Sequence, residues 1–490
     1  MKKLSGRRDL ILLLILYLVL LVLCSQFINT HDDYFIPETG SGFAGSLQYA
    51  ATMGNGRYLG NFFGNFLSQR EPLNAFVRAS VLFGIIWFAW ALFGKGRSRA
   101  LAVAALLFVF PGTGIFAQAY GWSHGFHTYA APILLVLAGL FLAKKESCPG
   151  NRAALLLLGC GQCLFSENTS VVCLMIAGIL LYRALRRGQG SAENSLALFL
   201  GVLLGLFFCF LMPRITGVSH KLDWYRGFTA AGTVDAFQDS DMSSLRSIIS
   251  LVILKLVSIV ETVLGWKLYW CGMGLVLALR MRERRGRGQW IVLAAAAAVY
   301  CLLLWLTARK EDMDGVYSYV FLVAAALFLA LLCVSVRRLS DGKRFFRAAA
   351  ILIAVSLGEL LFVAPIGQRC FYLPYAIAGC LQVSLWGDLS LSSPRLSRAV
   401  DWGAWLAAAV LALTLIAIFR DVHAAYVRRT EWIERQIAQG KTEIEVLLVP
   451  HEEFVYNGNT STMFGSTYGE HLTFRYVGRE TDGQSASETK

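Results

Sequence analysis

Charged side chains are scarce in this chain. Only 16% of its 490 residues are charged, whereas 56% are hydrophobic and the mean hydropathy is +0.55. Soluble globular proteins typically carry about 25% charged residues, so the composition excludes that class. Apolar runs of spanning length recur from end to end, and they indicate a polytopic membrane protein.

Two common catalytic fingerprints are also missing. The sequence has no P-loop and no H-E-x-x-H zinc motif. It shows no convincing internal repeat, and so lacks the inverted-repeat signature of many secondary transporters. Its 11 cysteines predict no disulfide framework, because nearly all of them lie within apolar segments.

Thirteen apolar segments predict transmembrane helices, although several are shorter than the ~20 residues of a straight span. The segments are 9–28, 75–94, 100–117, 129–143, 152–166, 169–182, 194–212, 249–279, 289–307, 316–336, 347–364, 371–388 and 402–419. The segment 249–279 is too long for one span and is interrupted by Lys255 and Lys267. Its first half is therefore a candidate interfacial helix.

The basic residues predict the orientation of these spans. With the amino terminus inside, the inner segments carry 25 basic residues and the outer loops before residue 420 carry nine. The net charge of +13 thus reflects topology and contact with anionic inner-leaflet lipid, and it does not indicate a nucleic-acid partner. The first apolar run is longer than a signal-peptide core, and we interpret it as an uncleaved span.

Two long outer loops and a polar tail complete the organisation. Loop 29–74 contains an apolar stretch that suits an interfacial helix, and loop 213–248 resembles a lid. The predicted fold is an all-α polytopic membrane domain over 1–419, followed by a small extracytoplasmic α/β tail over 420–490. The strands of this tail are predicted at 444–450 and 472–477, and disorder is predicted at 480–490.

Two adjacent carboxylates, Asp32 and Asp33, follow the first predicted span at its outer end. Neighbouring carboxylates are costly to bury when both are charged, so one can serve as a base or the pair can hold a cation. A solvated turn after a helix is the alternative, because aspartate is common there. The apolar residues Tyr34, Phe35 and Ile36 follow directly and favour the functional interpretation.

The same loop carries Arg57 directly after the run Gly54-Asn55-Gly56. Glycines permit a tight turn or a close approach of the backbone to a ligand. The planar guanidinium group of an arginine matches the oxygen atoms of a phosphate. Pairing of Arg57 with lipid headgroups is the structural alternative.

The outer loop 118–130 has no side chain that is charged at neutral pH, yet it is rich in aromatic and hydrogen-bonding groups. Its candidates for contact with a sugar are Trp122, His124, His127 and Tyr129. An interfacial aromatic belt explains the same composition. The two histidines alone make a weak metal site, because the loop contains no further histidine or cysteine.

Glu167 and Asn168 lie in a tight connection between two predicted spans. An acid at membrane depth is a functional candidate by default, and a helix cap is the structural alternative. Three further outer cations are Arg309, Lys310 and Arg369. Together such donors can neutralise a phosphate leaving group, whereas each alone is more typical of a structural residue.

These features resemble the GT-C superfamily of polytopic glycosyltransferases, in particular the bacterial O-antigen glucosyltransferase-like branch and a related family of bacterial membrane proteins. The motifs that carry the resemblance lie within residues 1–230 and are Asp32-Asp33-Tyr34, Asn55-Gly56-Arg57, Trp122 to Tyr129 and Glu167-Asn168. Beyond residue 230, only the architecture is similar. The Trp-Trp-Asp motif of oligosaccharyltransferases is absent, which argues against protein N-glycosylation.

The resemblance implies a polyprenyl-phosphate sugar as donor and an active site on the outer face of a bacterial cytoplasmic membrane. It implies a catalytic aspartate in the first outer loop, here Asp32 or Asp33. Some members of the superfamily bind a divalent cation at this place and others do not, so a requirement for Mg or Mn stays open. Asp32 and Asp33 would be its ligands.

We therefore expect an inverting glycosyltransferase of the hexosyltransferase class. Asp32 or Asp33 would deprotonate a hydroxyl of a surface glycan or lipid-linked acceptor. The departing phosphate would be stabilised by Arg57 together with Arg309, Lys310 or Arg369. The acid Glu167, its neighbour Asn168 and the aromatic loop would orient the sugars.

A transporter or flippase for a lipid-linked glycan or a polar solute is the main alternative. Such a protein needs charges within its spans, and Lys255, Lys267 and Glu359 are almost the only ones here. The polar residues cluster on one predicted face, which favours an enzyme. A non-catalytic scaffold of an envelope assembly is a third interpretation.

Overall fold

The computed structural model describes residues 7–34, 40, 42–188, 191–215, 245–284, 287–309, 317–339, 343–362, 366–459, 464–469 and 471–477. This part of the chain is mostly helical. Its α-helices are α1 (Arg7–Cys24), α2 (Phe43–Thr52), α3 (Tyr58–Ser68), α4 (Glu71–Phe93), α5 (Ser98–Val109), α6 (Thr113–Phe116), α7 (Ser123–Gly125), α8 (Ala131–Ala143), α9 (Pro149–Cys163), α10 (Glu167–Arg187), α11 (Ala192–Leu206), α12 (Met212–Ile215), α13 (Leu245–Leu264), α14 (Lys267–Arg284), α15 (Arg287–Ala308), α16 (Tyr317–Leu339), α17 (Lys343–Gly358), α18 (Tyr372–Gly387), α19 (Pro394–Ala438) and α20 (Phe464–Tyr468).

Shorter helical turns connect several of these elements. The 3-10 turns are His31–Tyr34, Glu359–Phe362, Gln368–Phe371 and Glu452–Phe454, and the π-helical turns are Ala117–Gly121, Phe126–Ala130 and Phe207–Leu211. The two strands are β1 (Glu443–Leu447) and β2 (Thr473–Val477).

Several helices have the length and apolar composition needed to cross a membrane. Six of them in the described ranges meet both requirements, and the number rises to eight if each of two bent helix pairs counts as one span. All thirteen apolar segments of the sequence fall largely on helices. The mostly helical, multi-pass character is therefore supported, whereas the number of thirteen crossings stays a prediction.

Both bent pairs are interrupted where the sequence opposes a continuous helix. The pair α5 and α6 bends by 71° at Pro111 and Gly112. Proline cannot donate a backbone hydrogen bond, and Gly112 has a φ of +110°, which a residue with a side chain rarely adopts. The pair α13 and α14 bends by 63° at Gly265 and Trp266. The break lies next to Lys267, one of the two interruptions predicted within 249–279, whereas Lys255, the other, lies within the continuous helix α13.

The main core lies among α1, α4, α5, α8 and α18. Small residues allow these helices to approach closely, and Ala79, Ala100 and Ala104 are completely buried. The helix α9 packs mainly on α8 and α11, and α15 packs mainly on α14 and α16. Helix α4 packs against both α1 and α8 in this core.

The tail is continuous with the helical part of the chain. Helix α19 runs without a break from Pro394 to Ala438, across the predicted boundary at 419/420. Strands β1 and β2 pair in parallel, and their residue ranges largely coincide with the strands predicted at 444–450 and 472–477. The ring of Phe464 lies 4.6 Å from that of Tyr34, so the tail packs on the first loop. The predicted lid at 213–248 and the predicted disorder at 480–490 lie mostly or wholly outside the described residues.

Candidate functional site

Asp33 lies at the centre of a buried hydrogen-bond network, and its side chain is 0% exposed. Its Oδ2 atom accepts hydrogen bonds from the backbone N–H groups of Thr30 (3.1 Å) and Ser123 (3.0 Å). Its Oδ1 atom accepts bonds from the backbone N–H of His124 (3.1 Å) and from the Nδ1 atom of His124 (2.9 Å). The carboxylate therefore joins the first loop to the start of α7 and is closed to a substrate.

The Asp33 carboxylate also fixes the ring of His124. Because a carboxylate can only accept, the His124 Nδ1 atom carries the proton at this bond. No partner for the Nε2 atom is found in the described ranges, and the side chain is 12% exposed. Space for the ring depends on Gly64 of α3, since a Cβ atom there would lie 2.6 Å from the His124 Cδ2 atom. The ring is thus held in one orientation.

Asp32 points elsewhere, although it is the next residue in the chain. Its side chain is 40% exposed, and its Oδ1 atom lies 3.0 Å from the Nε2 atom of His31. Burial and the nearby Asp32 carboxylate together raise the pKa of Tyr49, on α2, to about 12. Asp32 is therefore the accessible carboxylate of the pair, and it lies between His31 and α2.

Arg57 is paired with Glu167. Its Nε atom donates to Glu167 Oε2 at 2.6 Å and its Nη2 atom donates to Glu167 Oε1 at 2.5 Å, in a bidentate arrangement. Burial lowers the pKa of Arg57, but the Glu167 carboxylate and Tyr129 raise it, and the net pKa lies well above its usual value. This guanidinium group is charged and largely neutralised by its partner.

The turn before Arg57 is shaped by its glycines. Gly56 has a φ of +77°, and a Cβ atom there would lie 2.1 Å from the backbone oxygen of Cys209. The Oδ1 atom of Asn55 accepts from the Arg57 backbone N–H at 3.0 Å and from Asn61 Nδ2 at 2.8 Å. The close packing of Gly56 on the segment 207–211 and the turn that the Asn55 side chain stabilises together direct the Arg57 side chain toward Glu167.

Arg369 stands among aromatic rings. Its Cζ atom lies 5.3 Å from the ring centroid of Trp122, 5.8 Å from that of Tyr456 and 5.9 Å from that of Tyr129. Its Nη1 atom donates to the Tyr456 hydroxyl at 3.3 Å. Burial lowers its pKa, whereas Tyr129, Cys370 and Tyr456 raise it to a net value above the usual one. In the described part of the chain, no carboxylate forms an ion pair with this guanidinium group.

These groups converge on one place. The Arg57 Cζ atom also lies 5.9 Å from the Tyr129 ring, so both arginines contact one tyrosine. The Tyr456 ring lies 5.1 Å from those of Trp122 and His31, which links Arg369 to the neighbour of Asp32. We call this set the arginine–aromatic cluster, and its members are His31, Asp32, Arg57, Trp122, His124, Tyr129, Glu167, Arg369 and Tyr456.

Besides Asp33, four of the residues singled out from the sequence are not seen in this cluster. His127 is 1% exposed, and its Nε2 atom is bonded to Asn74 Oδ1 at 3.0 Å, which makes it a buried structural histidine. Asn168 is half-buried beside Glu167 and takes no part in the described cluster contacts. Arg309 is exposed at the end of α15 and takes no part in the described cluster contacts, and Lys310 lies outside the described residues.

Two important residues were not predicted from the sequence. Tyr456 comes from the tail, and nothing in its local sequence indicates that it reaches Arg369. Arg78 is 2% exposed within α4 and donates to the Tyr120 backbone oxygen at 3.3 Å, near enough to Asp33 for an electrostatic interaction. An arginine inside a predicted span was a sequence signal for this position.

The two aspartates are poorly suited to hold a divalent cation. Across the described ranges, no group of three or more His, Cys, Asp or Glu side chains is placed to bind a metal ion. Both Asp33 oxygens already accept two hydrogen bonds each, and Asp32 pairs with His31. Since cations such as Mg²⁺ need several oxygen ligands, the pair does not fit such a site.

No family model matches the chain, and neither a curated protein nor a solved structure matches it. The arginine–aromatic cluster is therefore interpreted from its own chemistry.

Proposed function

We propose that this chain is an inverting glycosyltransferase that moves a sugar from a polyprenyl-phosphate donor to a glycan or lipid-linked acceptor on the outer face of a bacterial cytoplasmic membrane. One observation carries the proposal. The cluster combines an accessible carboxylate, Asp32, with a guanidinium group, Arg369, for which the described residues supply no carboxylate partner, and the rings of Trp122 and Tyr456 lie beside that group. Sugar transfer from a phosphate needs a base, a cation and surfaces for sugars.

Arg369 is the cation best placed to receive a phosphate. Arg57 already donates to Glu167 from its Nε and Nη2 atoms, so a second anion would compete with that carboxylate. Among the described contacts, the Arg369 guanidinium group has the rings of Trp122 and Tyr129, the Tyr456 hydroxyl and the Cys370 thiol as neighbours, and none of these is a carboxylate. A phosphate beside it would gain charge-assisted hydrogen bonds that strengthen as the leaving group acquires charge.

Asp32 is the base in this mechanism, and Asp33 is a positioning residue. Asp32 accepts the proton of the acceptor hydroxyl, and the acceptor oxygen forms a bond to the anomeric carbon of the donor. The bond from that carbon to the phosphate oxygen breaks, and the phosphate keeps the electron pair. Asp33 holds His124, whose Nε2 atom is available to accept a hydrogen bond from a sugar hydroxyl.

The apolar helices support a lipid-linked donor over a soluble one. The chain contains several helices that are apolar enough to span a membrane, and the cluster lies at their ends and in the connecting loops. A donor with a long isoprenoid chain can approach such a site from the bilayer, whereas a soluble nucleotide sugar would not need a site at the ends of membrane-spanning helices. The resemblance to the GT-C superfamily agrees with this choice.

The test is a transfer assay in proteoliposomes, with a panel of polyprenyl-phosphate hexoses as donors and lipid-linked glycans as acceptors. Loss of a catalytic base costs about 10²–10⁴-fold in rate, so Asp32→Asn should abolish measurable transfer while the protein still folds. Asp421→Asn is the matched control, since Asp421 is 71% exposed on α19. If Asp32→Asn retains more than a tenth of the wild-type rate, Asp32 is not the base.

One observation favours the alternative of a transporter or flippase. The two helix breaks line a common cavity of about 440 Å³ that also contains Glu261, Thr262 and Gln368. Broken helices around a polar cavity are typical of secondary transporters. Movement of a fluorescent lipid-linked glycan between leaflets, without any sugar transfer in the same vesicles, would favour this function over the enzyme.

A further inference from the structure

A second cavity lies among the helices, away from the arginine–aromatic cluster. It measures about 190 Å³ and is partly open to the surface. Its walls are contributed by the end of α4 and by α8, α10, α17 and α18, and the lining side chains are aliphatic or aromatic except at one end. Such a surface is suited to a hydrocarbon chain, because an apolar wall gains most from an apolar occupant.

The exception is a pair of cations, Lys144 and Arg183, that line the cavity at one end. Lys144 follows the last turn of α8, and Arg183 lies in the last two turns of α10. Phe93 at the end of α4 and Phe345 at the start of α17 belong to the same end, and their rings stack at 4.9 Å. The four helix ends therefore surround a single mouth, which carries both positive charges.

Neither cation is neutralised by the protein in the described ranges. The Lys144 Nζ atom lies 5.7 Å from the Phe93 ring centroid, and no carboxylate forms an ion pair with it or with Arg183. The predicted topology places these helix ends among the basic inner loops. Basic pockets between transmembrane helices on that side bind the headgroups of anionic lipids.

We propose that this cavity is a binding site for one anionic glycerophospholipid of the inner leaflet. An acyl chain occupies the apolar groove, and the phosphate lies between Lys144 and Arg183. The charge of the mouth selects an anionic headgroup over a zwitterionic one, and the apolar walls retain the lipid after extraction. The site is separate from the proposed sugar-transfer site, so it does not depend on the proposed function.

The test uses native mass spectrometry of the full chain, incubated with equal amounts of phosphatidylglycerol and phosphatidylcholine. We expect the wild type to retain one phosphatidylglycerol in preference to phosphatidylcholine. Each Lys or Arg near a membrane surface contributes about 1 kcal/mol of attraction, so Lys144→Gln and Arg183→Gln should each weaken retention roughly five-fold. The double variant should show no preference.

Lys145→Gln is the matched control. Lys145 is adjacent, has the same charge and lies against Phe141, outside the cavity lining. This variant should retain phosphatidylglycerol as the wild type does. Ala376→Trp tests the groove itself, because it fills the apolar wall and leaves both cations in place; we expect retention to fall there as well.

Three results would overturn the assignment. Equal retention of both lipids by the wild type would show that the cavity does not select lipids by headgroup charge. An effect of Lys145→Gln as large as that of Lys144→Gln would show a general attraction to a basic surface. Displacement of phosphatidylglycerol by a polyprenyl phosphate at equal concentration would assign the cavity to the carrier lipid instead.

Discussion

Replacing Asp33 by asparagine should destabilise the protein, whereas replacing Asp32 should not. The two aspartates are adjacent, but Asp33 is 0% exposed and accepts four hydrogen bonds, whereas Asp32 is 40% exposed and contacts His31. Asparagine has nearly the same shape as aspartate but presents one acceptor atom and one donor group. An asparagine side chain therefore cannot accept hydrogen bonds at the positions of both carboxylate oxygens.

The size of the effect follows from the four bonds. In Asp33→Asn, one carboxylate oxygen becomes an NH2 group that faces two N–H donors. If it replaces Oδ2, the backbone N–H groups of Thr30 and Ser123 lose their acceptor. Each buried group left without a partner costs about 1–3 kcal/mol, so we expect a loss of roughly 2–6 kcal/mol in stability. Asp32→Asn should change stability by less than about 0.5 kcal/mol.

The assay is size-exclusion chromatography of the detergent-purified variants after heating, which records how much monodisperse protein remains at each temperature. Asp33→Asn should lose half of its material several degrees below the wild type, and Asp32→Asn should coincide with the wild type. The reasoning is refuted if Asp33→Asn is as heat-resistant as the wild type, or if Asp32→Asn is the less stable of the two.

Two further predictions concern the turn before Arg57 and the orientation of the chain. Gly56→Ala should lower heat resistance strongly, because the added Cβ atom would meet the Cys209 backbone oxygen. Gly96→Ala is the control: Gly96 has a similar φ of +69° but lies in open space, so this variant should lose only about 1–2 kcal/mol of stability. In a cysteine-free background, Thr52→Cys should react with an impermeant maleimide in intact cells, whereas Cys148 restored alone should react only after lysis. The reverse labelling pattern would contradict the predicted topology and place the cluster inside.

The helices could be predicted from the sequence because apolar composition largely determines them. The apolar segments fall largely on helices, and the excessive length of 249–279 indicated an interruption, which lies at Gly265 rather than at Lys255. The second break could have been predicted from Pro111 and Gly112, which interrupt an apolar run. The tail strands were recognisable from alternating residues such as Ile444 and Val446, both of which are buried.

The residues of the site were partly predictable, whereas their partners were not. A carboxylate at 32 or 33, an arginine at 57 and an acid at 167 each had a local signal. The division of labour between Asp32 and Asp33 depends on the 3-10 turn His31–Tyr34, in which successive side chains point about 120° apart. The pairing of Arg57 with Glu167 joins residues 110 positions apart, and no short-range pattern reports such a contact.

The continuity of α19 has a mechanical consequence. With 45 residues, the helix is about 68 Å long, more than twice the ~30 Å thickness of a hydrocarbon core. It acts as a single stiff rod that begins beside Arg99, whose Nη1 atom donates to Ser397 at 3.2 Å, and it ends at the sheet of the tail. A tilt of only about 5° would displace its far end by roughly 6 Å, if the helix pivots at its start. Because the tail supplies Tyr456, the geometry around Arg369 is sensitive to small movements at the opposite end of this rod.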